Sequence, residues 1–310
     1  MKTAFVLPLL LALSFGIPAL AQDATVPGDY ATIQAAIDGA THGGDGRITI
    51  EVAAGTYNED LLIFRDGVEL IGAGPEATMI VGSGTIDVVA VIGAEVFEMS
   101  GFTVTGGGSF NGIDLGRSNL ATIENCVSNG NQIGISISRT ANTSVVGCDA
   151  SNNGIGIVIK SGSDNVISMN TVNGNTEHGI VLARTDFNQV TSNTTNGNSG
   201  AGFGAVRSFL NTFSGNTADN NGDSGIRLRR SDNTILTGNI STNNAANGFR
   251  FRETSGSMID GNTFSNNGAE GIRMKDSIAD DFDMTQGGVQ PPIGNNTVEG
   301  NVGGQLRNDD

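Results

Sequence analysis

The chain has 310 residues and a formal net charge of −16, with 46 glycines, no tryptophan and aromatics at only 5%. An acidic chain without a basic, aromatic-rich surface argues against nucleic acid as a partner, and no stretch after the N-terminus is apolar for the ~18 residues a membrane span needs. The charge is uneven: residues 22–124 hold fifteen acids against Arg47, Arg65 and Arg117, whereas residues 125–275 hold ten acids and eleven bases.

Residues 1–21 read as a secretory signal peptide. Lys2 opens it, an apolar run follows, and Ala19-Leu20-Ala21 is a small-residue cleavage site. The expected mature chain starts at Gln22 and is exported, to a periplasm or outside the cell. Residues 22–46 are expected to form an N-terminal cap. Within it a helix is predicted over 29–39, with Asp29 as its cap, Ile33, Ala36 and Ile37 on one face and Gly39 as its stop.

Residues 47–302 are predicted to repeat one strand-rich unit. ITIEVAAGTYNEDLLI, GVELIGAGPEATMIVGSG and TIDVVAVIGAEVFEMSGFTVTGG read as short strands parted by glycine turns, the first three coils. From Gly112 the register tightens: Gly112, Gly134, Gly156, Gly179, Gly202, Gly225, Gly248 and Gly271 stand 22 or 23 residues apart, each before Ile or Phe. Asn125, Asn170, Asn193, Asn216, Asn239 and Asn262 also recur, with Cys148 in the vacant slot. Amides stacked this way satisfy one another from coil to coil. Short parallel strands at this period predict an all-β solenoid, a single-stranded parallel β-helix of about ten coils with a short N-terminal capping helix.

Two cysteines, Cys126 and Cys148, fall in adjacent repeats, one position out of register by this count; they are expected either to pair or, the favoured reading, to be buried free thiols. One coil breaks the period. The segment NTVEGN at 296–301 resembles NTFSGN at 211–216, which implies about sixteen inserted residues, a loop at about 277–293. Asp280, Asp281 and Asp283 in that loop are the candidate Ca²⁺ ligands, set against a plain solvated acidic loop. No other cofactor is expected. Residues 303–310 read as an acidic tail that blunts the last coil.

The cations are patterned. GIRLRR, GFRFRE and GIRMKD alternate apolar residues with Arg227/Arg229, Arg250/Arg252 and Arg273/Lys275, so stacking would set six cations in a two-by-three grid on an outer face. Like charges on neighbouring strands destabilise a sheet, so the grid needs either local carboxylates or an anionic ligand; its density favours the ligand. Arg117, Arg139, Arg184, Arg207 and Arg230 lie five residues after their marker glycines and Lys160 four, a stripe about 25 Å long at ~4.8 Å per coil. For this stripe the favoured reading is cover and pairing with Glu253, Glu270, Asp276 and the insertion.

VPGDYATIQAAIDGA with IEVAAGTYNEDLLI and LIGAG resembles the opening of pectin-methylesterase-like secreted proteins. GIRLRRSDNTILTGN and GIVLARTDFNQVTSN resemble the right-handed β-helix repeats of the pectin-lyase-like superfamily, over nearly the whole mature chain. The resemblance implies right-handed coiling and a carbohydrate partner. It implies no catalytic residue, because the superfamily's paired-aspartate, Asp-Phe-Ile-Phe-Gly and Asp-Pro-His-Glu motifs are absent.

The resulting expectation is a secreted β-helix that binds, and could process, an acidic polysaccharide along its basic face. Arg227, Arg229, Arg250, Arg252, Arg273, Lys275, Arg207 and Arg230 are the expected contacts. Were it an enzyme, it would be a lyase, hydrolase or epimerase on uronate-containing glycans, with His178 or Lys160 as base and Arg184 holding the carboxylate. A solvated corner histidine is the plainer reading of His178. The alternative is a non-catalytic structural or adhesive solenoid.

Overall fold

The computed structural model describes residues 24–277, 296–304 and 306–309. The segment read as a signal peptide and the insertion bearing Asp280, Asp281 and Asp283 lie outside the described residues.

The chain climbs in parallel coils. Two eleven-stranded sheets form two sides, and a four-stranded and a five-stranded sheet share the third. The period-two alternation decides which residues face in. Along the sheet that carries the marker glycines, Val89, Ile113, Ile135, Ile157, Ile180, Phe203, Ile226, Phe249 and Ile272 stack in register and are buried. Phe249 also meets Phe264 of another sheet edge-on, with centroids 4.4 Å apart. Marker glycines are required for space: a Cβ on Gly134 would lie 2.8 Å from the Gly156 carbonyl and 2.6 Å from Asn153 Nδ2.

Asparagine ladders bind the turns together. Asn193 is representative: its Nδ2 donates to Asn216 Oδ1 in the next coil (3.1 Å) and to the Ile167 carbonyl in the preceding one (2.8 Å). Its backbone N–H also donates to Asn216 Oδ1, at 2.9 Å. This ladder runs from Asn170 to Asn296. A second runs from Asn131 to Asn301, and a shorter third joins Asn165, Asn188 and Asn211. Each buried amide satisfies turn groups that would otherwise be costly orphans.

Several expectations need correction. Asn125 is outside the ladder: it is exposed, at φ +47°. Cys126 holds that rung, one coil of 22 residues from Cys148, so the two cysteines are in register. Both are buried free thiols, and burial pushes Cys126 up to about 11 and Cys148 up as well.

The helix spans Ile33–Gly39, and Thr32 caps it by accepting from the Ala35 N–H at 3.1 Å. Asp29 instead turns back to the Thr25 N–H (2.9 Å) and hydroxyl (2.7 Å), closing a turn after the strand Ala24–Val26, which pairs with Ile50–Val52. Ile33, Ala36 and Ile37 are buried at the head of the solenoid.

At the far end, Asn296 stacks on Asn262, 34 residues back rather than 23. The insertion is therefore eleven residues, because NTVEGN continues NTFSNN at 262–267 rather than 211–216. Residues read as tail contain the strand Leu306–Asp309, paired with Ile272–Lys275.

Candidate functional site

The site is the outer face of the sheet that carries the marker glycines. Register sets Arg227, Arg250, Arg273 and Arg307 side by side on consecutive strands. The parallel row is Arg229, Arg252, Lys275 and Asp309. The expected two-by-three grid forms, and the last strand adds Arg307 and Asp309 to it. The insertion hid this extension by breaking the spacing of 23.

Much of the grid is clasped by carboxylates. Arg227 Nη1 lies 3.4 Å from Asp223, and Arg273 Nη2 lies 2.9 Å from Asp309. Arg307 meets Asp309 at 2.7 Å and Glu270 at 3.5 Å. Glu253 lies between Arg230, to which it is closely bonded, and Arg252 at 3.2 Å. The Arg252 contact lacks hydrogen-bond geometry, and Nε of both Arg229 and Arg252 is buried with no hydrogen-bond partner among the described residues. Arg250 and Lys275 form no ion pair among the described residues. Exposed pairs of this kind contribute little stability, but they screen the cations they hold.

Of the pairing expected for the stripe, the described residues show only Arg230 with Glu253, and the insertion lies outside them. Arg117, Arg139, Arg184, Arg207 and Arg230 all adopt left-handed backbone, φ 52–57°, where each coil leaves the sheet. Ser161 takes that position in the coil of Lys160 (φ 57°), which is why Lys160 sits one place early on the strand itself. Only Arg230 finds a carboxylate; Arg117, Arg139, Lys160, Arg184 and Arg207 are exposed and unpaired among the described residues.

His178 is not brought to Lys160 and Arg184. It precedes the strand Ile180–Ala183, whereas Arg184 follows it, so they flank opposite ends. Its Nδ1 accepts the Ala201 N–H at 2.9 Å, so the lone pair a base would use is engaged.

A shallow groove of about 490 Å³ crosses the central coils of the same face. Ile133 and Ile155 line one side, Arg117, Arg139 and Lys160 the other, with Asp114 and Ser136 between them. Asp114 is half-buried on the strand Ile113–Gly116. Its carboxyl is raised above the ordinary aspartate value, chiefly by burial; a Ser136 hydrogen bond opposes the shift and the charge of Asp87 adds to it. Sequence pattern did not single out Asp114, because one carboxylate among many carries no signal until its neighbours are known.

Three family models match the chain: "right handed beta helix region" over residues 87–228, "periplasmic copper-binding protein (NosD)" over 188–286, and "pectinesterase" over 19–147. With coils stacked in parallel along the whole described chain, the first of these sets the hand. The chain is a right-handed parallel β-helix protein.

Solved structures agree on this fold. The A-module of the mannuronan C-5 epimerase AlgE6 of Azotobacter vinelandii matches with a TM-score of 0.71 at 19% identity, over 93% of this β-helix protein and 95% of that chain. The AlgE4 A-module of the same organism gives 0.66 at 21%, over 94% and 95%. The periplasmic alginate epimerase AlgG gives 0.54 at 17%, over 86% and 74%. No curated protein matches the sequence. At these identities the likeness is one of fold, and function has to be argued from the site. Residues 188–286 contain neither histidine nor cysteine, so the imidazole and thiolate donors typical of copper sites are missing from the segment that resembles NosD.

Proposed function

We propose that this β-helix protein is exported and binds an acidic polysaccharide along its marker-glycine sheet. One observation carries the reading. Thirteen of the sixteen cations of the chain, all but Lys2, Arg47 and Arg65, lie on this one sheet or its left-handed edge, in a protein of net charge −16. Arginine's planar fork suits carboxylate and sulfate groups, and a stripe advancing ~4.8 Å per coil presents them along a line. The fold neighbours described as alginate epimerases support a polyuronate partner, and two matches described as periplasmic support export. Among the described residues no helix is long and apolar enough to cross a membrane.

The test is retention on immobilised alginate, pectate and a sulfated glycan at two salt concentrations. Retention at low salt that disappears at high salt is the expected result, since exposed charge is screened within about 10 Å at 0.1 M. Passage straight through all three matrices at low salt would overturn the proposal.

The second reading, a structural or adhesive solenoid, draws on the clasped C-terminal grid, where Asp223, Glu253, Glu270 and Asp309 already balance much of the charge. Incubation with polyuronates, followed by absorbance in the unsaturated-uronate band, separates it from a lyase. Product would eliminate the scaffold reading.

A further inference from the structure

In the central groove a carboxyl sits among cations that, unlike most of those in the C-terminal grid, have no ion pair among the described residues. Asp114 lies on the floor, half-buried, with Arg117 at the end of its own strand and Arg139 and Lys160 on the next two coils. The facing groups are few. Ser136 occupies the following strand directly opposite Asp114, and Asp87 approaches from the preceding coil. None of the three cations is ion-paired to Asp114 or to any other carboxylate among the described residues. A carboxylate in this place works against an anionic guest: it repels the guest's charge and competes for the same cations. A protonated carboxyl does the reverse, because it offers an O–H to an oxygen of the guest.

We propose that the Asp114 groove is a subsite for one uronate sugar of the bound chain, and that binding there is coupled to uptake of one proton by Asp114. Arg117, Arg139 and Lys160 take the sugar carboxylate. Ser136 and the neutral Asp114 address the sugar's hydroxyl or carboxylate oxygens. The proton comes from the buffer, and no bond of the sugar is made or broken. The direction of the Asp114 shift agrees with this, since burial already disfavours its charged form. An arriving carboxylate strengthens the same preference. The inference rests on the polysaccharide reading above and goes beyond it, by naming the subsite and its linkage to pH.

Calorimetric titration with oligouronates at pH 6.5, in buffers of different ionisation enthalpy, counts the protons taken up per binding event. The ligand itself remains ionised at this pH, so uptake reports on the protein. Wild type should take up a substantial fraction of a proton. Asp114→Asn, nearly isosteric and permanently neutral, should take up none and bind at least as tightly as wild type. Thermal melting of the variant checks that its fold is intact. A proton count unchanged by Asp114→Asn, or binding weakened more than about threefold in a folded variant, would overturn the inference while leaving the polysaccharide reading in place. Absence of any binding heat from wild type would remove both.

Discussion

Two stretches of one sheet differ both in cation density and in what surrounds the cations. In the last coils Arg227, Arg230, Arg252, Arg273 and Arg307 each have a carboxylate within 4 Å. In the central coils Arg117, Arg139, Lys160, Arg184 and Arg207 have none among the described residues. Density of charge is therefore a poor guide to its availability. The grid is the more conspicuous in sequence, but the sparser stripe has the more accessible positive charge, and it borders a groove.

The strongest way to break this contrast is charge reversal in each region. Arg117→Glu, Arg139→Glu and Lys160→Glu together should weaken polyuronate binding about a hundredfold, from three contacts at roughly 1 kcal/mol each. The matched triple Arg227→Glu, Arg250→Glu and Arg273→Glu should cost about tenfold, since among the described residues only Arg250 of the three is unpaired. Affinity measured on alginate decides it, and a grid triple with the larger loss would reverse the ranking.

A smaller effect should come from unmasking. Replacing Asp223 and Asp309 by Asn and Glu253 by Gln removes all of the clasps but Glu270 without adding a cation. Affinity should rise about threefold and the salt dependence should steepen. An unchanged affinity would mean that the grid is not on the binding path.

Acid should sharpen the contrast further. Arg230 hydrogen-bonds Glu253, and Arg307 hydrogen-bonds Asp309, which holds both carboxyls below their ordinary values. Such pairs contribute above the ordinary carboxylate range and are lost only as pH falls through the lowered values. Asp114 is shifted the other way, so it is neutralised first. Retention on a sulfated glycan, whose charge is permanent, should therefore rise as pH falls from neutral toward the ordinary carboxylate range in wild type, and rise less in Asp114→Asn.

The smallest expected effect is on stability. A carboxyl whose folded value is raised costs stability once it ionises, and the cost vanishes below the unfolded value near 4. Asp114→Asn should melt about 1–2 °C above wild type at pH 7, a fraction of a kcal/mol for a chain of this size. The gap should close by pH 4. A variant less stable at pH 7 would show that the carboxylate form is the one the fold prefers.

Much of the fold was legible because one backbone rule repeats. The marker glycines gave the period, and the alternation of Ile226/Leu228 with Arg227/Arg229 gave the inward and outward rows that the register confirms. What was missed follows from small departures in that rule. A coil of 22 rather than 23 residues shifted Asn125 out of phase and put Cys126 in its place. The insertion moved Asn296 to a spacing of 34 and concealed Arg307. The two further asparagine ladders were hidden in plain composition, since asparagine is frequent everywhere in the repeats. The groove could not be read at all. Asp114 matters because Ile133, Ile155 and three cations surround it, and those neighbours belong to three different coils.

The stacking also sets a ruler. Adjacent coils touch only each other, and every rung of the asparagine ladders repeats the same geometry. Excising one whole 23-residue unit between Gly179 and Gly225 should therefore close the gap without remaking the rest, and shorten the charged track by a single step of about 4.8 Å. The shortest oligosaccharide able to saturate the protein would then drop by a fixed increment, so the length of glycan it recognises would be written in whole numbers of repeats.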